Sequence, residues 1–345
     1  MNVTIQASAG KGEALKTLKN LEMKTKKFLL PLSLIFIGLL FLLQCKQDPF
    51  SENLKPADNA FWDIISKNIQ IDTTKGEYIF TEGPVWNPAG YFLFSDIPDN
   101  KIYKYTPGQG TEIFIDSTFA SNGLAYDTAA QLVVCEHDAR SIARYDENLK
   151  RSPIVEQYKG KRLNSPNDLT VHSSGAIYFT DPPWGLEGLD EDPAKELSFN
   201  GLFLIKDSTL TLLDSSMFRP NGLALSPDEK YLYVGDTQKG ENPKKLWYRY
   251  EISDSLTLTN KTVFAEAPDS KTEGSPDGMK TDAAGNLFCT GPGGILIFND
   301  KGKYRGSIKF PELPSNCAFG GKDNDLLLVT AREKVYVLSN IRPES

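Results

Sequence analysis

The sequence predicts an all-β fold, a six-bladed β-propeller with a metal site on its central axis. The first observation is a unit that recurs six times, in which an acidic or amide residue stands just ahead of a turn and a strand. We call these residues the anchors: Glu82, Asn122, Asn167, Asn221, Asp277 and Asn316. Successive anchors are 40, 45, 54, 56 and 39 residues apart, and this period is typical of one four-stranded propeller blade.

The second observation is the pattern of strands and turns after each anchor. In the fourth repeat, the apolar run 223–225 is followed by a turn with proline and aspartate at 226–230 and by the strand-like run 231–234. Short β-branched and aromatic runs bounded by turn residues predict antiparallel strands. Helical periodicity is absent from residue 70 onward, except around 190–197.

The sixth repeat is too short for a complete blade. It extends only from Asn316 to about residue 339, which is enough for two or three strands. A propeller must close its ring to remove free sheet edges. We therefore predict that residues 69–80, which precede the first anchor, supply the missing strand, and that the propeller spans 69–342.

The first 44 residues form a predicted export segment. Three lysines (24, 26 and 27) precede an apolar run, 28–43, which ends just before Cys45. The run is too short for a membrane span of about 20 residues, and the pattern resembles a bacterial lipoprotein signal in which Cys45 is lipidated. The protein is thus expected to be an exported, membrane-anchored bacterial lipoprotein, periplasmic or at the cell surface. An uncleaved N-terminal anchor is the alternative, and residues 1–22 are consistent with a start assigned too far upstream.

Residues 45–68 are polar, contain two prolines and are interpreted as a linker with one short helical turn at 61–65. Three further cysteines (135, 289 and 317) lack the spacing of a disulfide framework or a zinc site. We expect them to be small buried apolar residues, with a Cys289–Cys317 pair as the alternative.

Composition excludes several partners. The net charge is -7, and no basic stretch with interleaved aromatic residues occurs. We therefore expect no nucleic-acid partner. We also expect the protein to be a monomer that contacts a membrane only through its N-terminal lipid anchor.

The anchors predict a ring of oxygen-bearing side chains at the mouth of the propeller. Two of them, Glu82 and Asp277, are carboxylates, and two buried anions close together are costly without a cation. Carboxylate and amide oxygens favour calcium, magnesium or manganese. With only two histidines in the chain, a histidine-rich zinc site is excluded. We expect one divalent cation, calcium first, with magnesium, manganese or zinc as alternatives in activity. For Asn122 and Asn316, a purely local turn-forming role is the alternative.

The anchors, in this order, resemble those of the SMP-30/gluconolactonase/LRE-like family, and the bacterial gluconolactonases in particular. The resemblance covers about residues 76–340. It is carried by the segments 82–86, 135–137, 164–169, 178–185, 219–228, 276–279 and 318–321, among them Asn164-Ser165-Pro166-Asn167-Asp168-Leu169 and Arg219-Pro220-Asn221-Gly222.

The resemblance implies a hydrolase that opens sugar lactones. It implies that Glu82, Asn221 and Asp277 bind one calcium-like ion, that Asp277 also acts as the acid/base residue, and that Asn167 contacts the metal or the substrate. Ser165 stands where animal sugar lactonases carry an arginine, so the substrate preference need not transfer.

Further substrate contacts are predicted from the residues themselves. His137 and Arg140 are candidates in the second blade, although a solvated turn explains them equally well. Asn122 is expected to orient ring hydroxyls together with Asn167, and Trp184 to stack on a sugar face, unless it belongs to the core. The rival hypotheses are a hydrolase of aryl esters or organophosphates and a non-catalytic binding propeller with a structural metal.

Overall fold

The protein folds as six β-sheets arranged around an axis, as a computed structural model shows for residues 51–238 and 243–343. The export segment and Cys45 lie outside these residues. The sequence prediction of a six-bladed β-propeller is confirmed. Each sheet is antiparallel, and its strands follow one another along the chain from the axis outward, except that the outermost strands of blades 5 and 6 come from residues that precede blade 1.

Blades 1 to 3 are built from consecutive strands. Their bounds are β3 (Thr81–Asn87), β4 (Tyr91–Asp96), β5 (Lys101–Thr106) and β6 (Gly110–Asp116) in blade 1; β7 (Ser121–Tyr126), β8 (Leu132–Glu136), β9 (Ser141–Tyr145) and β10 (Arg151–Val155) in blade 2; and β13 (Leu169–Val171), β14 (Ile177–Asp181), β15 (Gly201–Lys206) and β16 (Thr209–Asp214) in blade 3. A small hairpin of β11 (Gln157–Tyr158) and β12 (Lys161–Arg162) separates blades 2 and 3.

Blades 4 to 6 complete the ring. Their bounds are β17 (Pro220–Leu225), β18 (Tyr231–Thr237), β19 (Lys245–Ile252) and β20 (Leu258–Glu266) in blade 4; β21 (Met279–Thr281), β22 (Leu287–Gly291), β23 (Gly294–Phe298) and β24 (Tyr304–Ile308) in blade 5; and β25 (Asn316–Gly320), β26 (Leu326–Ala331) and β27 (Lys334–Ser339) in blade 6. Short 3₁₀ helices occur at Ser51–Asn53, Asn59–Asp63 and Leu189–Glu191.

The ring closes as predicted. Strand β2 (Gln70–Thr73) pairs antiparallel with β27 and becomes the outer strand of blade 6. Blades 6 and 1 are also joined through Thr81, whose hydroxyl donates to the backbone carbonyls of Arg332 and Lys334 at 2.9 and 3.0 Å. Closure thus joins the two ends of the propeller.

The hydrophobic core lies between the blades. Each of six buried clusters joins two neighbouring blades, including blades 6 and 1. Alternation along a strand explains this arrangement: Ile177 and Phe179 pack toward blade 2, whereas Tyr178 between them packs toward blade 4. Because successive side chains point to opposite faces, the blades are buried on both faces, and middle strands such as β8 and β26 are almost continuously apolar. Outer strands such as β6 and β20 are largely exposed.

The prediction that residues 45–68 form a linker is corrected for the part that the structure describes, 51–68. Within 51–68, strand β1 (Leu54–Pro56) pairs with β24 as a fifth strand of blade 5. Phe61 and Ile65 are fully buried in the cluster between blades 5 and 6. A Cβ on Gly306 would lie 2.5 Å from the Phe61 ring, so this glycine makes room for the ring. Phe61 and Ile65 therefore fix the segment 51–68 to the folded domain. They were overlooked because the segment is mostly polar.

The three cysteines are free and buried, which agrees with the expectation that they are small core residues. Along 51–238 and 243–343, no helix is long and apolar enough to cross a membrane.

Candidate active site

A cavity of about 490 Å³ opens at the axis where the inner strands begin. It brings together the anchors of blades 1 to 5, namely Glu82, Asn122, Asn167, Asn221 and Asp277. Phe80, Ile97, Pro98, His137, Trp184, Thr237 and Ser275 complete the wall. The meeting of oxygen-bearing side chains from blades far apart in the sequence is therefore seen in the structure.

Irregular strand pairing aims the anchors at the axis. In blades 1, 2 and 4 the register shifts at the anchor, between Glu82 and Val85, Ser121 and Leu124, and Pro220 and Leu223. Such bulges bend a strand and turn a side chain out of the ladder. In blades 2 and 4 the shift leaves Asn122 and Asn221 without a partner in the ladder, whereas Glu82 in blade 1 stays paired with Ser95 just ahead of the shift.

Glycine follows four of the anchors because the next blade is too close for a side chain. A Cβ on Gly222 would lie 2.3 Å from the Asp277 carbonyl oxygen, and one on Gly278 would lie 1.9 Å from Cγ of Asn316. Both distances are far below van der Waals contact. The repeat was predicted from the side-chain oxygen alone, but the glycine also recurs, for this steric reason.

The amides of the cavity form one directed chain of hydrogen bonds. Asn122 Nδ2 donates to Asn167 Oδ1 at 2.8 Å, and Asn167 Nδ2 donates to Asn221 Oδ1 at 2.6 Å. Asn221 is in turn hydrogen-bonded to Asp277, and its Nδ2 lies 3.3 Å from Thr237 Oγ1. Each amide is therefore fixed in one orientation, and the chain leads across the cavity to the carboxylate of blade 5.

His137 fixes the other end of this chain. Its Nε2 lies 3.2 Å from Asn122 Nδ2, and burial lowers the pKa of His137 to about 4, so the ring is neutral at pH 7. A neutral ring can accept through Nε2 while Nδ1 carries the proton. The two hydrogens of Asn122 Nδ2 are then both used, and Asn122 Oδ1 is a buried acceptor without a partner in the protein.

Two cavity carboxyl groups are strongly perturbed. Burial, and then the charge of Asp168, raise the pKa of Glu82 to about 7. Burial, followed by the charges of Glu82 and Asp168, raises the pKa of Asp277 well above its ordinary value. Without a bound cation, both carboxyl groups therefore hold their protons more tightly than usual. A positive charge nearby would lower both pKa values and favour the carboxylates.

Asp168 is a further buried carboxyl group close to Glu82 and Asp277, and it was not among the predicted site residues. It occupies the position after the anchor that is glycine in four repeats, and burial raises its pKa. Asn316 lies between it and the cavity, since Asn316 Nδ2 is 3.0 Å from Glu82 Oε2 and 3.4 Å from Asp168 Oδ2. The sequence did hold one indication of this role, because Asp168 stands where glycine follows the anchor in four other repeats.

The donor set fits a hard divalent cation. It consists of two mutually repelling carboxylates and the amide oxygen of Asn221, with Asn122 Oδ1 as an unpaired acceptor in the same wall. Across the part of the chain that the structure describes, no three His, Cys, Asp or Glu side chains cluster in a way that could hold a metal. The candidate set therefore depends on amide oxygens, which calcium accepts.

The structure separates the remaining candidates. His137 and Trp184 line the cavity, whereas Arg140 does not. Its guanidinium donates to the backbone carbonyls of Leu163 and Ala194 at 2.6 and 2.8 Å. Arg140 thus holds Ala194, in the segment 182–200, close to Leu163. The prediction that Arg140 contacts the substrate is corrected, because its side chain does not line the cavity.

Comparison with known proteins identifies the family. The family model of the SMP-30/gluconolactonase/LRE-like region matches residues 80–333. The chain belongs to this family. It is 39% identical over 296 residues to a gluconolactonase of Zymomonas mobilis, covering 79% of this chain and 82% of that one. It is 26% identical over 257 residues to a pentonolactonase of Haloferax volcanii, covering 72% of this chain and 80% of that one.

A solved structure shows the same architecture. A gluconolactonase of Xanthomonas campestris superposes with a TM-score of 0.74 at 31% identity, covering 83% of this chain and 94% of that one. The resemblance inferred from the sequence segments is confirmed by these matches.

Proposed function

We propose that this protein hydrolyses sugar lactones, with one divalent cation held by Glu82, Asn221 and Asp277. The observation that carries the proposal is the convergence of two buried carboxyl groups and an oriented chain of amides on one cavity. Its membership of a family that includes gluconolactonases supplies the substrate class.

Glu82 has one carboxylate oxygen available to bind a cation. Its Oε2 accepts from the backbone nitrogen of Gly83 at 2.6 Å and from Asn316 Nδ2 at 3.0 Å. The other oxygen, Oε1, is therefore the one available to the cavity. Glu82, Asn221 and Asp277 would hold the cation, which when bound would supply Lewis-acid stabilisation of the charge that develops on the lactone carbonyl oxygen. Calcium is the expected ion, with magnesium, manganese or zinc as alternatives.

Asp277 is the proposed acid and base. As a carboxylate it accepts a proton from the attacking water while the water oxygen bonds to the carbonyl carbon. When the bond from that carbon to the ring oxygen breaks, Asp277 returns the proton to the ring oxygen and a hydroxy acid is released. The hydrogen bond from Asn221 orients Asp277 for both transfers.

The opposite wall binds the sugar ring. Asn122 Oδ1 is an unpaired acceptor and can receive a hydrogen bond from a ring hydroxyl. Asn167 holds Asn122 in that orientation, and Trp184 offers a flat apolar face to the C–H side of the ring. A substrate that lacks the hydroxyl would leave Asn122 Oδ1 buried and unsatisfied, which gives the site selectivity.

Steady-state hydrolysis of glucono-1,5-lactone and of an aryl acetate tests this function. Glu82→Gln and Asp277→Asn should each lower kcat/KM for the lactone by about a hundredfold or more. Asp181→Asn is the matched control, because Asp181 is likewise buried with a pKa raised to about 7 but does not line the cavity. Turnover within a few-fold of wild type in both cavity variants would refute the proposal, and a preference for the aryl ester would favour the rival ester hydrolase.

We also propose that the protein is exported and anchored to a membrane through lipidated Cys45. This rests on the lysines and the apolar run that precede Cys45 in the sequence. Incorporation of a labelled fatty acid by wild type but not by Cys45→Ala would support it. Equal labelling of both proteins would exclude Cys45 as the acceptor.

A further inference from the structure

Exposed hydrophobic side chains gather on the face where the cavity opens. In the part of the chain that the structure describes, seven large hydrophobic side chains are exposed. Four of them precede the anchors of blades 1, 2 and 4 by two or three residues, namely Ile79, Phe80, Phe119 and Phe218. Because the inner strands begin at the anchors, these four, which we call the apolar rim, lie on the cavity face, and Phe80 also lines the cavity. Apolar residues gathered on one surface mark an interaction site, whereas scattered single ones do not.

The backbone around Phe119 is strained and fixed. Ser117, Phe119 and Ala120 have φ angles of 68°, 57° and 51°, in the left-handed region that bulky residues rarely adopt. Asn100 Oδ1 holds the loop in this shape, since it accepts from the backbone nitrogens of Thr118 and Ala120 at 3.0 and 2.8 Å. The loop thus presents a phenylalanine that is 46% exposed. Strain of this kind is typical of functional positions.

The other rim residues also stand on fixed backbone. Asp96 accepts from the backbone nitrogens of Ile79 and Phe80 at 2.9 and 3.0 Å. Asn200 Nδ2 donates to the carbonyl oxygen of Phe218 at 2.7 Å. Asp96 and Asn200 are both buried. The apolar rim is therefore preformed, and its side chains face solvent without any rearrangement of the loops.

The chain enters the domain on the same face. Strand direction alternates within blade 5, so β24 ends on the face where β21 begins, which is the cavity face. Leu54, at the start of β1, pairs with Ile308 at that end of β24, and the Asn53 carbonyl oxygen accepts from the Lys309 nitrogen at 2.9 Å. Leu54 follows Cys45 by nine residues, which span at most about 30 Å when fully extended. An anchor at Cys45 therefore keeps a membrane close to the cavity face.

Resting on the proposed lipid anchor at Cys45, we propose that the apolar rim docks on the lipid bilayer that holds this anchor. The rim side chains enter the boundary between headgroups and acyl chains, where apolar surface leaves water. The lactone cavity then opens toward the bilayer surface. A second copy of the chain could also cover an apolar rim, but only the bilayer is tied to the face where the chain from Cys45 enters.

Depth-dependent fluorescence quenching tests the docking on full-length protein in vesicles of zwitterionic phosphatidylcholine. A single cysteine, Phe119→Cys or Leu149→Cys, carries a fluorophore, and brominated lipids serve as quenchers. The cysteines of the described chain are buried, and lipidation blocks Cys45. Leu149 is the matched control, because it is 40% exposed and has a left-handed φ of 59°. It lies in the turn between β9 and β10, at the opposite end of blade 2.

The rim probe should be quenched and the control probe should not. The probe at Phe119→Cys should lie about 5–10 Å below the headgroup boundary. Strand β9, with its five residues, places the probe at Leu149→Cys roughly 17 Å further from the bilayer. Phe218→Cys should report the same depth as Phe119→Cys, which excludes an effect confined to one loop. Phe218→Asp, added to the Phe119→Cys protein, should abolish most of the quenching.

Absence of quenching at both rim positions, or equal quenching at Leu149→Cys, would overturn the docking. Energy transfer between copies labelled at unquenched rim positions would assign the rim to a second copy of the chain instead. The anchor is tested separately with protein that has no added cysteine. If that protein is labelled at Cys45, the lipidation proposal fails, and the measurement repeated with Cys45→Ala still decides the docking, because the apolar run 28–43 remains. Protein that does not float with the vesicles would refute both proposals.

Discussion

Replacing Glu82 by glutamine should make the chelator-treated protein more stable than wild type at alkaline pH. When a cation is present, the same replacement should make it less stable than wild type. In the protein alone, burial raises the pKa of Glu82 from 4.5 to about 7. The stability contributed by its protonated form is complete below about pH 4.5 and is lost as the pH rises through 7. The shift corresponds to about 3 kcal/mol at pH 8.

Glutamine keeps the existing hydrogen bonds and removes this cost. Its Oε1 can accept from Gly83 and Asn316, as Glu82 Oε2 does now. In calorimetry with excess chelator, Glu82→Gln should melt about 6 °C above wild type at pH 8 and within a degree or so of it at pH 4. With calcium the order should invert, because the variant lacks a carboxylate ligand.

Glu136→Gln is the control, because Glu136 is equally buried but fully paired. Its carboxylate accepts from Arg151 at 2.8 and 2.6 Å and from Ser141 at 2.5 Å. Breaking that pair should lower the melting temperature at pH 8 regardless of chelator. If chelated Glu82→Gln also melts below wild type at pH 8, the assignment of Glu82 as a carboxylate destabilised by burial is refuted.

Three further outcomes follow from packing and hydrogen bonding. Gly278→Ala should lower stability by about 1–3 kcal/mol in urea titrations, because its Cβ would overlap Asn316; an unchanged midpoint would show that Asn316 moves freely. Phe61→Ala should cost about 3–5 kcal/mol in the same assay, whereas a removable linker would show no loss. Asn122→Leu should raise KM for glucono-1,5-lactone at least tenfold with little change in melting temperature; an unchanged KM would exclude a hydroxyl contact at Oδ1.

The periodic parts of the molecule could be predicted from the sequence. Anchor spacing gives the blade number, and alternation along strands such as 177–179 gives the faces that pack. The closing strand at 70–73 follows because the sixth repeat lacks one. These features are local or repeat six times, so one sequence contains several independent copies of the same information.

Features that occur once were missed. Asp168 is a buried acid in a position where other repeats carry glycine, and only the three-dimensional ring places it beside Asn316. Phe61 is an aromatic residue within a polar segment, and its partner Gly306 lies 245 positions further along the sequence. Arg140 resembled a substrate contact because it follows His137 closely, yet its guanidinium donates to the carbonyls of Leu163 and Ala194, whereas His137 lines the cavity. Long-range contacts of this kind have no periodic pattern.

A titration of metal-free protein with calcium, followed by glucono-1,5-lactone turnover, tests the central claim most directly. The claim is that one cation on the axis, held by Glu82, Asn221 and Asp277, is required for lactone opening. Turnover should be absent after chelation, rise linearly with added calcium and reach its plateau at about one ion per chain. Full turnover in protein verified to contain no metal would contradict the account.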